Sequence, residues 1–169
     1  VFACQGGPGA ENAFGGFAQA WADGVPIIFL PDGPGTNVTD VAPNFSGPAN
    51  YRGIMKWAGS VNNAERIPSL MRQALSSLKN GRPGPVMLEM QRDVMGDEVS
   101  NLDDFRSPEK HVAAPSKAEL RDAVKRLLAA KRPVIWAGQG VLYSGASAKL
   151  TELAELLQVP VMTTLAGKS

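Results

Sequence analysis

The segment Val1-Phe2-Ala3-Cys4-Gln5-Gly6-Gly7-Pro8-Gly9-Ala10-Glu11-Asn12 decides the fold of this chain. Its apolar first residues predict a β-strand over residues 1–5, and apolar residues at helical spacing predict an α-helix over residues 10–23, ended by Gly24. Glycines between a strand and a helix let backbone N–H groups approach a ligand closely. The segment therefore predicts a strand, a glycine turn that can hold a ligand, and a helix.

The rest of the chain alternates between strand and helix patterns. Predicted strands lie at residues 25–30, 86–90, 134–137 and 159–165, and predicted helices lie at residues 63–80, at 146–158 and after a capping box at Ser116. Residues 54–57 fit either a strand or a helical turn, and residues 31–50, rich in Pro, Gly, Asn and Asp, predict a long loop. Such alternation predicts an α/β fold, a parallel sheet with helices on both faces.

Residues 101–115 separate two such α/β units. The stretch around them, from residue 93 to residue 115, has few apolar residues, which is typical of an interdomain linker; its charged residues include Asp97, Glu98, Asp103, Asp104, Glu109 and Lys110. We therefore predict a first domain over residues 1–100 and the opening units of a second domain over residues 116–169. The chain starts without Met, inside a predicted strand, so we expect it to be a piece of a longer protein.

The composition excludes several classes of function. The chain has 17 Lys and Arg against 16 Asp and Glu, a net charge of +1, so no basic surface is available to hold nucleic acid or an anionic membrane. Its single cysteine, Cys4, excludes an internal disulfide and a cysteine-based zinc site. The apolar run at 25–30 is far too short to cross a bilayer, and no signal peptide is visible, so we expect a cytoplasmic location.

The glycine turn resembles a dinucleotide fingerprint. Gly7-x-Gly9-x-x-Asn12 is close to G-x-G-x-x-G, and Asp32 follows the next apolar run, where a ribose-binding acid belongs. Pro8 removes one N–H from such a phosphate site, and Asn12 stands where a third glycine would let helix and strand pack closely. A glycine-proline-glycine turn in a different kind of cofactor site is the competing interpretation.

Four separated motifs carry a resemblance to a known family. They are residues 6–12 (GGPGAEN), 18–28 (AQAWADGVPII), 81–86 (GRPGPV) and 132–140 (RPVIWAGQG). With these motifs the chain resembles the thiamine-diphosphate-dependent enzymes of the acetolactate synthase, pyruvate oxidase and benzoylformate decarboxylase group. The similarity covers almost the whole chain.

The resemblance implies that residues 1–100 are the C-terminal part of a pyrimidine-binding domain and that residues 116–169 open a Rossmann-like central domain. It implies an enzyme, a lyase or transferase, that makes or breaks a carbon–carbon bond next to the carbonyl of a small 2-oxo acid. The family forms homodimers or homotetramers with active sites between subunits. Its catalytic glutamate and its Mg²⁺ ligands would lie outside this chain, so the chain alone is expected to be inactive.

The residues expected to bind thiamine diphosphate are those of the turn and the helix after it: Gln5, Gly6, Gly7, Pro8, Gly9 and Asn12. By the same resemblance, Gln5 stands where benzoylformate decarboxylase has a catalytic histidine and the synthases have a small hydroxyl residue. Phe45-Ser46-Gly47 stands where the synthases have Phe-Gln-Glu. These departures make a decarboxylase or lyase as well supported as a synthase.

Two alternatives stay open beside this interpretation. One is an NAD-type dinucleotide-binding Rossmann domain that uses Gly7, Gly9 and Asp32, and the other is a non-catalytic interaction module that supports a dimer. Some family members also bind FAD in the central domain. Gly138-Gln139-Gly140 is either such a diphosphate site or a plain strand-to-helix turn, and we favour the turn.

Overall fold

The structure, a computed structural model, describes residues 1–100 and 102–168. It divides into two compact units, unit 1 (Val1–Val112) and unit 2 (Ala113–Ser169). Asn101, the first residue of the predicted linker, and Ser169, the last residue of the predicted second domain, lie outside the described residues. Each unit combines parallel strands with helices, which confirms the predicted α/β class.

Unit 1 is built on a parallel sheet with helices. Its strands are β1 (Phe2–Cys4), β2 (Ile28–Gly33), β3 (Trp57–Val61) and β4 (Val86–Gln91), and its helices are α1 (Pro8–Asp23), α2 (Gly47–Tyr51) and α3 (Ile67–Lys79). The strands lie in the order β1-β2-β4-β3, and every pairing is parallel. Strand β4 therefore lies between two neighbours, although it comes last along the chain.

The two faces of the sheet carry different helices. Side chains alternate along a strand, so neighbouring residues of β4 pack on opposite faces. Met87 belongs to an apolar cluster with residues of α1, β2 and α2, whereas Val86 and Leu88 belong to clusters with residues of α3. Each of these three side chains is completely buried. The predicted arrangement, with helices on both faces of the sheet, is thus present in unit 1.

Strand β2 ends three residues beyond the predicted end. The Val25 N–H donates to the Ala20 carbonyl (2.8 Å) where α1 ends, and residues 25–27 of the predicted strand only lead to β2, which begins at Ile28. At the other end, Asp32 and Gly33 pair with the last residues of β4. Pro31 has no N–H to give, and the pairing with β4 is interrupted there. The apolar pattern stops at that interruption, but the strand does not.

The predicted loop over residues 31–50 contains regular structure. It holds the end of β2, a 3-10 turn (Thr36–Val38) and most of α2. The hydroxyl of Tyr51, a fully buried residue, donates to the carbonyl of Ala10 in α1. Helix α2 is therefore held by tertiary contacts and not by a pattern of its own. The ambiguous segment after it becomes a 3-10 turn (Arg52–Ile54) and then β3.

Unit 2 pairs two parallel strands, β5 (Ile135–Ala137) and β6 (Val161–Thr163). Its helices are α4 (Lys117–Ala129), α5 (Gly140–Tyr143) and α6 (Ser147–Leu157). The predicted capping box opens α4, because the Glu119 N–H donates to the Ser116 hydroxyl (3.2 Å) and the Ser116 N–H donates to the Glu119 carboxylate (2.9 Å). Hydrogen bonding of the Glu119 carboxylate, to the Ser116 side chain first and to the Ser116 backbone N–H after it, holds the pKa of Glu119 below its ordinary value.

Replacing Ser116 with alanine should loosen the start of α4. The substitution leaves one first-turn N–H without its acceptor, and loss of such a cap costs roughly 1 kcal/mol. We expect faster amide hydrogen exchange in the first turn of α4 and a lower unfolding midpoint. Ser147→Ala is the matched control, because the start of α6 has no side-chain cap to lose. Equal effects of the two variants would contradict the role of the capping box.

Candidate functional site

The glycine turn between β1 and α1 is shorter than predicted. Helix α1 begins at Pro8, two residues early, at a position where the missing N–H of proline costs nothing. The Glu11 N–H donates to the Gly7 carbonyl (2.8 Å), so hydrogen bonding of the helical type starts at Gly7. Gly7 has φ 57° and ψ −117°, a conformation that residues with a Cβ rarely adopt. The turn itself therefore consists of Gln5, Gly6 and Gly7.

A cavity of about 270 Å³ opens beside this turn. Its walls come from the turn, from the end of β2, from the loop after β2 and from the residue after β4; they include Gln5, Gly6, Gly7, Pro8, Phe45 and Arg92. A Cβ added to Gly7 would meet no heavy atom within 4 Å, so the backbone of Gly7 borders open space. The carboxyl ends of parallel strands are where α/β proteins bind ligands. The cavity lies at that edge of the sheet.

Asp32 joins three parts of the cavity wall. Its Oδ1 accepts the backbone N–H of Gly6, and its Oδ2 lies 3.2 Å from the guanidinium of Arg92. A Cβ added to Gly6 would overlap the Asp32 carbonyl oxygen and would lie 2.9 Å from the carbonyl carbon. Only glycine at this position lets β1 and β2 approach so closely. Both carboxylate oxygens of Asp32 are thus used to hold the turn and Arg92 together.

Asp93 anchors the loop that follows β2. Its carboxylate accepts the Thr36 N–H (3.0 and 3.1 Å) and the Thr36 hydroxyl (2.5 Å). These hydrogen bonds, that of the hydroxyl first, hold the pKa of Asp93 below its ordinary value. The loop wall of the cavity is therefore tied to the end of β4 by an ionised side chain.

Two weakly acidic groups next to the turn stay protonated. Burial, followed by the charge of Asp32, raises the pKa of the Cys4 thiol. Burial, followed by the effect of Cys4, raises the pKa of the Tyr51 hydroxyl to about 12. The thiolate is the reactive form of cysteine, so a raised pKa makes Cys4 a poor nucleophile near neutral pH. The surroundings of the turn therefore suit binding better than acid–base catalysis.

The structure brings together four of the six residues that the sequence nominates. Gln5, Gly6, Gly7 and Pro8 line the cavity. Gly9 lies behind the turn, where an added Cβ would be 3.3 Å from the Cβ of Gln5. Asn12 is exposed on α1 and lines a separate groove of about 290 Å³, which it shares with Phe2 and Phe17.

Gly33 and Arg92 also line the cavity, although neither stands out in the sequence. Gly33 ends β2 and Arg92 follows β4, and the two positions become neighbours because those strands pair. The spacing of residues along the chain does not report which strands pair. The available signal is that each residue follows an apolar run, since such positions gather at one edge of a parallel sheet.

Unit 2 has concavities of its own. One, of about 850 Å³, is lined at the ends of α4 and α6 by residues that include Leu127, Pro133 and Leu157. The predicted turn at 138–140 leads directly into α5. Across residues 1–100 and 102–168, no three His, Cys, Asp or Glu side chains group as metal ligands would. No helix in these ranges combines the length and the apolar character that a bilayer span requires.

Comparisons with known proteins find one matching family model and several similar sequences. Residues 120–169 match the family model described as "Thiamine pyrophosphate enzyme, central domain". The probable acetolactate synthase large subunit of Methanocaldococcus jannaschii is 35% identical over 172 residues, which cover 96% of this chain and 29% of that protein. The acetolactate synthase isozyme 3 large subunit of Escherichia coli K12 is 29% identical, over 95% of this chain and 29% of that protein.

One similar protein is not named as an acetolactate synthase: glyoxylate carboligase of Escherichia coli O157:H7. It is 33% identical over 165 residues, which cover 95% of this chain and 28% of that protein. The chain thus spans a little under a third of the length of the relatives it matches. The similarity runs through both units and is not confined to the glycine turn.

Proposed function

We propose, on the premise that this chain belongs to the thiamine-diphosphate-dependent enzymes, that unit 1 supplies the surface on which the aminopyrimidine ring of thiamine diphosphate lies. The resemblance carried by the four sequence motifs is confirmed by the matching family model and by the named relatives. The single observation that carries the proposal for this site is the cavity beside the glycine turn.

The size and the lining of the cavity fit such a ring. Pockets for whole drug-sized ligands hold about 300–1,000 Å³. The volume of about 270 Å³ therefore suits one ring system and is small for a complete cofactor. The backbone of Gly6 and Gly7 reaches the cavity without Cβ atoms, and Phe45 adds an aromatic wall. A flat heterocycle with polar edges needs surfaces of these two kinds.

The residues of this chain would hold and orient the cofactor. When bound, thiamine diphosphate supplies a nucleophilic carbon for attack on a carbonyl and an electron sink for the bond that breaks. Gln5, Gly6 and Gly7 would contact the ring edge, Pro8 would set the start of α1 behind it, and Phe45 would cover one face. Gly9 would support the turn from behind, and Asn12 would act only through α1.

The whole protein would act on a small 2-oxo acid, as a synthase or as a decarboxylase. We propose that residues 1–100 are the C-terminal part of its pyrimidine-binding domain and that residues 116–169 begin its central domain, with the match at 120–169 as support for the second assignment. Mg²⁺ bound outside this chain, FAD in the central domain, a homodimer or homotetramer, and a cytoplasmic location complete the proposal for the parent enzyme.

The dinucleotide alternative is less well supported by the geometry. It requires the carboxylate of Asp32 to accept hydrogen bonds from a ribose. One oxygen of that carboxylate already accepts the N–H of Gly6, and the other pairs with Arg92. A ribose would have to displace a contact that holds the turn in place.

Ligand titration of the 169-residue chain tests the proposal. We expect thiamine and thiamine diphosphate to bind with similar, weak affinity, because this chain would contact the ring and not the diphosphate. Gly7→Asn should weaken both by about tenfold or more, since it adds a side chain to a residue that lines the cavity; a tenfold change corresponds to about 1.4 kcal/mol. Saturation-transfer NMR measures the binding.

Gly81→Asn is the matched control for this titration. Gly81 also has a positive φ (70°), it borders open space, and it does not line the cavity. Binding of NAD⁺ but not of thiamine would favour the dinucleotide alternative. A folded chain that binds none of these ligands would favour the interaction module.

A further inference from the structure

Two polar side chains are buried side by side on β4. Glu89 is 4% exposed and Gln91 is completely buried. Both lie on the face that carries Met87, because side chains alternate along a strand. Gly33 of β2 covers them, since a Cβ there would lie 2.7 Å from Gln91 Oε1 and 2.8 Å from Glu89 Cγ. Carboxyl groups are rarely buried this deeply without a partner of opposite charge.

Glu89 contacts three hydrogen-bond donors. Its Oε1 accepts the backbone N–H of Gly47 (3.0 Å). Its Oε2 lies 3.2 Å from the hydroxyl oxygen of Ser60 and 3.4 Å from Nε2 of Gln91. The contact with Gly47 is the only one of the three to a backbone group, and it joins the sheet to the first residue of α2.

No cation compensates Glu89 within the described part of the chain. The elements packed on it contribute the uncharged Gly33 from β2, Gly47 from α2 and Ser60 from β3. The loop before α2 contributes Asp40, a second carboxylate. Burial first, and the charge of Asp40 after it, raise the pKa of Glu89 against the opposing effect of the hydrogen bonds.

The side-chain oxygen of Gln91 receives no hydrogen bond from the described residues. This atom, Oε1, is buried. Glu89 lies against the other end of that amide, since its Oε2 is 3.4 Å from Nε2 of Gln91. Within the described residues, the pair thus contains an unpartnered buried oxygen as well as a buried carboxyl group without a compensating cation.

Glu89 is connected to the cavity through the backbone of residues 45–47. The N–H that it holds belongs to Gly47, and Phe45, two residues earlier, forms a wall of the cavity and packs against the core cluster. The side chain of Asn50 holds the carbonyl of the intervening Ser46 (2.7 Å). The contact between Glu89 and Gly47 therefore lies two residues from the aromatic wall, which the core cluster also supports.

We propose that Glu89 is a positioning residue of the cavity, which holds the Gly47 amide and thereby places Phe45 against the ligand. An ionised Glu89 keeps this contact but leaves a buried charge without a cation among the described residues, so the stability of the chain falls as the pH rises. The stability part stands on the buried contacts alone. The ligand part rests on the proposed function.

Glu89→Gln tests the stability part. A glutamine keeps an oxygen for the Gly47 N–H and carries permanent N–H donors in place of the carboxyl proton. A carboxyl group with a raised pKa stabilises the fold fully below its ordinary value of 4.5, and this contribution is lost as the pH rises through the folded value. We therefore expect the urea midpoint of the wild type to fall as the pH rises above 4.5, and that of E89Q to stay level.

Thiamine titration of the same variants tests the ligand part. At about pH 5 the affinity of E89Q should match that of the wild type, because glutamine keeps an acceptor for the Gly47 N–H. Glu89→Ala removes the contact to Gly47 and should weaken thiamine binding. If E89Q keeps the thiamine affinity and Glu89→Ala loses it, the side chain acts through its hydrogen bond to the Gly47 N–H.

Two results would overturn the inference. One is an E89Q chain that is less stable than the wild type above pH 4.5 and equal to it below that pH, because the ionised form would then be the stabilising one. The other is a Glu89 carboxyl carbon whose NMR shift in the wild type already shows full ionisation at about pH 5, a measurement that does not depend on a folded variant. Failure of the wild type to bind thiamine would instead contradict the proposed function, and the two stability measurements would still decide the role of Glu89.

Discussion

Phe29→Ala is expected to lower the free energy of unfolding of unit 1 by about 3–5 kcal/mol, the usual cost of deleting a fully buried aromatic ring. The ring of Phe29 is completely buried and stacks on Phe17 with centroids 4.3 Å apart. It also lies 5.3 Å from the ring of Tyr51 and 5.7 Å from that of Phe2. The rings around it come from β1, α1 and α2, so the cavity left by alanine cannot close without moving several elements.

Phe14→Ala is the control for this prediction. Phe14 also contacts Tyr51, with centroids 5.2 Å apart, but its residue is 40% exposed and leaves no enclosed cavity. Denaturation by urea, followed by far-UV circular dichroism, should show a loss for Phe14→Ala well below half of that for Phe29→Ala. Equal losses would show that the aromatic cluster is not the centre of the core of unit 1.

Gly6→Ala should disrupt the glycine turn and abolish the proposed binding of thiamine at the cavity. The new methyl group would overlap the backbone carbonyl of Asp32, which cannot rotate away as a side chain could. Strands β1 and β2 would have to separate, and the bond from the Gly6 N–H to the Asp32 carboxylate would be lost. We expect a loss of stability on the order of 3 kcal/mol, at the upper end of the range for overpacking. Urea denaturation and thiamine titration measure the two effects.

Gly15→Ala makes the same chemical change without the overlap. A Cβ at Gly15 meets no heavy atom within 4 Å, and the residue lies in the middle of α1. Alanine favours a helix interior over glycine by about 1 kcal/mol, so this variant should be slightly more stable than the wild type. A Gly6→Ala chain with unchanged stability and thiamine affinity would refute the close approach of β1 and β2.

The helices of this fold could be predicted from the sequence wherever one face packs on a sheet. The apolar positions predicted for residues 63–80 belong to α3 (Ile67–Lys79), whose Leu70 and Ala74 are buried against β3 and β4. Gly24 ends α1 in the left-handed conformation that its position predicts. Helix α2 escaped prediction, because five residues are too few to show a helical period and its stability comes from contacts distant in sequence.

Only part of the candidate site could be predicted from the sequence. The residues from Gln5 to Pro8 lie within one short motif, so their common location follows from chain connectivity alone. Gly33 and Arg92 join them only because β2 and β4 pair, and a pairing between strands more than fifty residues apart leaves no local trace. Residue spacing cannot show that Asp32 contacts both Gly6 and Arg92, although these contacts are the observation that argues against a ribose at Asp32.

The strand order of unit 1 limits when its sheet can form during translation. Translation releases β2 and β3 before β4, yet neither pairs with the other in the finished sheet. Until residues 86–91 emerge, both strands present unpaired edges of the kind that invite contact between nascent chains. Binding of a chaperone should therefore matter most while α3 is already synthesised and β4 is still inside the ribosomal exit tunnel.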